Sequence, residues 1–160
     1  RLDPDDEELL RKVTAMARDR DLPIHIHSGA APVDELYRIE PSLTIIWAHA
    51  GMSESAETVE RMMEKHATLY ADTSFRELNI LSFGTTLDPA WERVLKRFSD
   101  RFMVGTDTWV NGQWARYGEL IDLNRKWLAL LPADVARRIA YQNAEKLFGR
   151  TISMDQIGTR

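Results

Sequence analysis

Leu22-Pro23-Ile24-His25-Ile26-His27-Ser28-Gly29 is the stretch on which the reading of this chain turns. It is short, β-branched, and bounded by Pro23 and Gly29, as a buried strand should be. Side chains two apart on a strand share a face. Ile24 and Ile26 therefore turn to one side, and His25 and His27 to the other. Two imidazoles on one face of a buried strand need polar partners, because an unpaired buried polar group is costly. Either histidine alone reads equally well as a core residue bonded to a neighbour. Together, ending on Ser28-Gly29, they read as a site.

Outward from that strand, one unit recurs. Before it, Asp3 suits an N-cap and Pro4 the first helical position, and residues 5–8 are all acidic, as a helix N-terminus favours. Leu9, Leu10, Val13, Met16 and Ala17 follow a helical spacing that should end near Asp21. After it come a helix over 33–39 and a continuously apolar strand over 43–48, of the kind covered on both faces. A helix capped by Ser53 follows, with Val59, Met62 and Met63 buried, then a strand over 69–74 and a loop around Gly84. Asp88 and Pro89 start a helix through Trp91, Val94, Leu95 and Phe98, and 102–106 is the fourth strand. Helices over 117–131 and 132–148 close the unit, with Gly149 as C-cap. Residues 150–160 form a tail without pattern, leaving 1–149 as one domain. Strands alternating with helices imply an α/β fold with a parallel sheet. The strands end at His27, His49, Ser74 and Asp107, and three of these are metal-ligand types. Chemistry in such folds collects at the C-terminal strand ends.

Composition narrows the function. The chain has 160 residues, 25 acidic against 21 basic, a net charge of −4, and no cysteine. Without a basic patch, nucleic acid is not an expected partner. Without a long apolar run, neither is a membrane. Zero cysteine excludes disulfides, thiolate nucleophiles and Cys-ligated zinc, so any metal must be held by His, Asp or Glu. It suits the cytosol, the first expectation, and the periplasm alike. GxGxxG, GxxxxGK[ST], GxSxG and HExxH are all missing, which weakens dinucleotide, P-loop, serine-hydrolase and zincin readings.

The candidate residues each have a plainer alternative. His49 sits among Ala48, Ala50 and Gly51, small neighbours that leave room for an imidazole, but it also suits a helix cap. Asp107 follows Gly105-Thr106 and reads as a metal ligand or general base, or as a helix-capping aspartate. Asp72 and Ser74 share a strand face and can support a histidine from behind. Arg76 can take an anionic substrate group or stand solvated. Trp109 and Trp114 wall a pocket or cover the end of the fold. His66, at a helix end, reads as structural, and Met62-Met63 as core.

The stretches 22–29, 46–51, 69–74 and 102–107, closed by Asn143-Ala144-Glu145-Lys146-Leu147-Phe148-Gly149, together resemble the second half of the amidohydrolase-related (amidohydrolase family 2) metal-dependent hydrolases. That family includes aminocarboxymuconate semialdehyde decarboxylase-like enzymes. The resemblance implies half of a (β/α)₈ TIM barrel, strands five to eight with their helices plus a C-terminal helix. It makes His27 a metal ligand, His49 a second ligand or the group that orients water or substrate, and Asp107 a ligand and general base. His25 stands behind them, with Asp72, Ser74, Arg76 and Trp109 supporting the site or the substrate. A barrel of this kind takes about 250 residues. The chain opens on Arg1 rather than Met, so the first expectation is that the other half belongs to the same gene product. The second is that two copies pair.

The implied reaction is hydrolysis of a small-molecule substrate at a carbonyl-type carbon. A divalent cation, Zn²⁺ first, would lower the pKa of bound water to roughly 7. Two ligands, His27 and Asp107, fall below the usual three for catalytic zinc, so weak binding by this chain alone is expected. A decarboxylase on the same site is the alternative within the family. The alternative outside it is a non-catalytic half-barrel that self-associates through raw sheet edges.

Overall fold

The computed structural model describes residues 4–150. The N-cap expected at Asp3 and the tail from 151 onward lie outside the described residues. Helix α1 (Pro4–Asp19) leads into β1 (Ile24–Ile26) and α2 (Ala30–Ile39). Then come β2 (Ile45–Trp47), α3 (Ala56–Lys65), β3 (Leu69–Asp72) and α4 (Glu77–Ile80). A small hairpin of β4 (Leu81–Ser82) and β5 (Thr86–Leu87) precedes α5 (Pro89–Arg97) and β6 (Phe102–Met103). Helices α6 (Asn111–Ala115), α7 (Tyr117–Leu128), α8 (Ala133–Arg137) and α9 (Asn143–Phe148) finish the fold.

The four main strands form one parallel sheet in the order β1-β2-β3-β6. Ile24 pairs with Ile45, Ile45 with Leu69, and Ala71 with Phe102. Each strand is shorter than its apolar run. Two to four residues beyond the ends of β2, β3 and β6 the backbone turns left-handed, at His49 (φ 55°), Phe75 (φ 59°) and Asp107 (φ 45°). The helices bury their apolar sides against the outer face of the sheet: Val33 and Leu36 of α2, Val59, Met62 and Met63 of α3, Trp91, Val94 and Leu95 of α5. Ser55, not Ser53, caps α3, its hydroxyl accepting from the Thr58 amide at 3.2 Å. Helix α2 starts a turn earlier than its apolar spacing suggests, with Pro32 in the first turn, where no backbone donor is missed.

His25 and His27 share a face, as the alternation requires, while Ile24 and Ile26 pack on the core. The strand is not buried, however. The His25 side chain is 60% exposed, and β1 is an edge: among the described residues no strand pairs on its outer side. The loop expected near Gly84 is instead the β4–β5 hairpin. Phe83 and Gly84 both take positive φ there, and the Thr85 amide donates to the Ser82 carbonyl at 3.2 Å. Positive φ at both central residues is the tight hairpin turn, which Asn-Gly signals more clearly than Phe-Gly.

Half a barrel is expected to leave two raw edges, and among the described residues one of the two is covered. Beyond β6, α8 and α9 are joined by a wide π turn (Arg138–Gln142) rather than running as a plain helix over 132–148. The turn leaves the Ile139 carbonyl to accept from the Val104 amide at 3.2 Å. The buried Asn143 amide donates to the carbonyls of Ser99 (2.8 Å) and Phe102 (2.7 Å). The helices thus satisfy outward-facing groups of β6 that a neighbouring strand would otherwise take. Gly149 ends α9 in the left-handed conformation, as expected of a C-cap.

At the other side, Asn124 of α7 links α4 to the core. Its amide donates to Glu77 Oε1 at 3.2 Å, and its oxygen accepts from Trp127 Nε1 at 3.0 Å. Burial is the main influence on the Glu77 carboxyl and raises its pKa above the ordinary 4.5, aided by the charge of Asp72 and opposed by the bond from Asn124.

Asn143→Ala leaves two buried carbonyls without a donor and should cost about 2–3 kcal/mol in urea unfolding. A carboxyl raised in the folded state stabilises the fold while protonated and loses that contribution as pH rises through its folded value. Glu77→Gln should therefore raise the melting temperature at about pH 7 and give no gain at about pH 4, as read by circular dichroism melts.

Candidate functional site

The turn after β2 builds the site. Trp47 lies flat inside, its Nε1 donating to the Ser28 carbonyl at 2.7 Å. Ala48–Ala50 form a single tight turn, with His49 at φ 55°, ψ 27° and Gly51 at φ 82°. A Cβ on Gly51 would come within 2.3 Å of the Trp47 ring, so the chain passes only as glycine. A non-glycine residue held left-handed costs about 1–3 kcal/mol, and such residues gather at functional sites. His49 is held so, with only 5% of its surface exposed.

Three residues converge beside it. His27 meets the His49 ring edge-on, centroids 4.8 Å apart. Asp107 Oδ2 lies 3.8 Å from His49 Nε2. Phe75 packs on the His49 ring at 5.4 Å. His49 Nδ1 meets Ser74 Oγ at 2.8 Å. The Ser74 hydroxyl donates to Asp72 Oδ1, and the Ser74 amide donates to the same oxygen at 3.0 Å. Asp72 Oδ2 lies 3.1 Å from His25 Nε2. His25, Asp72, Ser74 and His49 are thus one hydrogen-bonded row.

Two cavities open on this cluster. One, of about 720 Å³, is walled by Glu54, Phe75, Arg76 and Trp91. The other, of about 470 Å³, lies along the inner face of the sheet past His25 and Asp72. His27, His49 and Asp107 line both.

Arg76 is buried, not solvated. Its guanidinium donates to the carbonyls of Met52 and Glu54 and stacks 4.6 Å over Trp91. Its Nε has no hydrogen-bond partner among the described residues. Burial pushes its pKa down and the charge of Glu54 pulls it back up. Glu54 in turn accepts from the Ala30 amide at 3.0 Å, replacing the cap that Gly29 cannot supply to α2. Trp109 is 74% exposed and lines neither cavity. Its amide is held instead by Gln113 Oε1 at 3.0 Å. His66 is structural, stacked 4.1 Å on Tyr37 and bonded to Asp34 at 2.6 Å. Phe75, Trp91 and Glu54 line the larger cavity without any sequence signal that marks them as site residues. Trp91 has the helical spacing of a core residue, and nothing local marks Phe75 or Glu54.

Among the described residues, no three His, Cys, Asp or Glu side chains come together closely enough to hold an ion. His27, His49 and Asp107 do not form such a group. No described helix is long and apolar enough to cross a membrane.

No curated protein matches the chain in sequence. Among solved structures, an uncharacterized TIM-barrel protein of Bordetella bronchiseptica superposes with a TM-score of 0.66 at 18% identity, over 88% of this chain and 50% of that one. An amidohydrolase of Burkholderia multivorans with bound zinc superposes at 0.61 and 14% identity, over 93% of this chain and 62% of that one. The same protein with bound HEPES gives 0.60 at 13% identity. The chain spans roughly half to two thirds of these structures, and the likeness establishes a partial TIM barrel. The amidohydrolase family model matches residues 1–150, and the chain belongs to that family.

Proposed function

We propose that this chain carries the acid–base pair of a hydrolase acting on a carbonyl-type carbon of a small molecule. Asp107 takes the proton of the attacking water and later returns it to the leaving group. His49 orients that water, and His27 closes the third side. The observation that carries this reading is the 3.8 Å gap between His49 Nε2 and Asp107 Oδ2 inside the cavity of about 720 Å³. The gap is too long for a direct hydrogen bond, and a water at ~2.8 Å from each group fits it as a bent bridge. The cavity volume falls within the range of small-molecule sites.

Since His27, His49 and Asp107 do not form a metal-holding group, no step assigned to these residues runs through a metal. A divalent cation, zinc first, belongs to a site completed by donors from beyond the described residues. The complement is a further set of strands laid against the open edge of β1, from the same polypeptide or from a second copy. Membership of the amidohydrolase family and the half-length match to barrel structures support this arrangement.

Turnover of a panel of small lactones, esters and amides tests the reading, with and without added zinc or manganese. Asp107→Asn and His49→Gln should each lower kcat about 10²- to 10⁴-fold in variants that circular dichroism shows to be folded at the assay temperature. An unaltered kcat would overturn the assignment. Release of carbon dioxide without hydrolysis would replace the hydrolase by a decarboxylase. No turnover under any condition would sink catalysis by this chain alone.

A further inference from the structure

The geometry points to Ser74 and Asp72 as positioning residues that decide which ring nitrogen of His49 carries the proton. A serine hydroxyl has one proton to give and lone pairs to receive with. An ionised carboxylate can only accept. Asp72 Oδ1 receives both the amide and the hydroxyl of Ser74, so the hydroxyl proton is committed there. Ser74 Oγ then presents a lone pair to His49 Nδ1 at 2.8 Å. For that contact to be a hydrogen bond, Nδ1 must bear the proton. The neutral ring is left with its lone pair on Nε2, the nitrogen that faces Asp107 and both cavities.

Two neighbours hold the row in place. The other oxygen of Asp72 is engaged by His25 Nε2 at 3.1 Å. Gly105 presses on the pair from the β6 side. A Cβ there would meet Asp72 Oδ1 at 3.0 Å and Ser74 Oγ at 3.2 Å. The serine is confined between Gly105, its own carboxylate acceptor and the imidazole.

The tautomer decides what His49 can do. With the lone pair on Nε2 it accepts a hydrogen bond from water, or binds a cation. With the proton on Nε2 it could only donate, as an oxyanion stabiliser does. The row therefore selects the water-orienting role for the neutral ring. That consequence rests on the hydrolytic reading above, whereas the tautomer itself stands apart from any reaction.

Long-range ¹H–¹⁵N correlation spectra of the ¹⁵N-labelled chain, recorded at about pH 8 where an ordinary imidazole near 6.5 is neutral, read the tautomer directly. His49→Gln identifies the His49 signals by their loss. In the wild-type chain the proton should sit on Nδ1. Ser74→Ala should shift the Nδ1–H to Nε2–H ratio about three- to tenfold toward Nε2–H, and Ser74→Thr, which keeps the hydroxyl, should restore it. A wild-type proton on Nε2, or a ratio unmoved by Ser74→Ala, would overturn the proposal. Should Ser74→Ala fail to fold, the wild-type spectrum decides alone. Loss of turnover with the Nδ1–H tautomer intact would count against the reaction and leave the positioning role standing.

Discussion

The close packing of Gly51 on the Trp47 ring is the constraint on which the site depends. With 2.3 Å between that ring and where a Cβ would be, the chain leaving β2 can turn only as glycine does. The turn forces His49 and Ala50 into left-handed backbone. It also sets the His49 ring between strands β1, β3 and β6 rather than letting it run on with β2. The cost of that backbone, about 1–3 kcal/mol per residue, is offset by burial of Trp47 and its bond to Ser28. The positive-φ positions at Phe75 and Asp107 repeat the device at two other strand exits.

The row from His25 to His49 supplies the second constraint. Ser74 and Asp72 are almost fully buried, and such groups are tolerated only when each has a partner. Each does. The cross-links join β1, β3 and the turn after β2, so the sheet and the site hold each other in register. Arg76 performs the same service one layer out, tying the Met52 and Glu54 carbonyls to Trp91. Its two terminal nitrogens, engaged by those carbonyls, make it a brace for the cavity wall.

The two edges of the sheet differ for a physical reason. Beyond β6 the π turn and Asn143 offer backbone and side-chain partners at the positions of a missing strand. Beyond β1 no strand among the described residues gives such cover. Edge strands with unpaired groups invite another chain. His25 and His27 stand at that uncovered edge.

Much of this was legible in the residues themselves. Alternation in 22–29 placed Ile24 and Ile26 on the core side and both histidines on the other. Apolar runs marked the four parallel strands, although each ladder is shorter than its run and stops before His27, His49 and Asp107. Those are local properties, set by backbone geometry and side-chain period. The exposure of His25, the cap at Ser55, the hairpin at Phe83-Gly84 and the π turn were not legible, because each depends on what a distant segment offers in hydrogen bonds or space. The same holds for the site. Sequence named the residues that bring His27, His49 and Asp107 to one end of the sheet, since parallel strands align their ends. Only the tertiary structure turned Trp109 away, engaged Arg76 with a loop and laid Ser74 between Asp72 and His49, because those outcomes are settled by packing between strands dozens of residues apart.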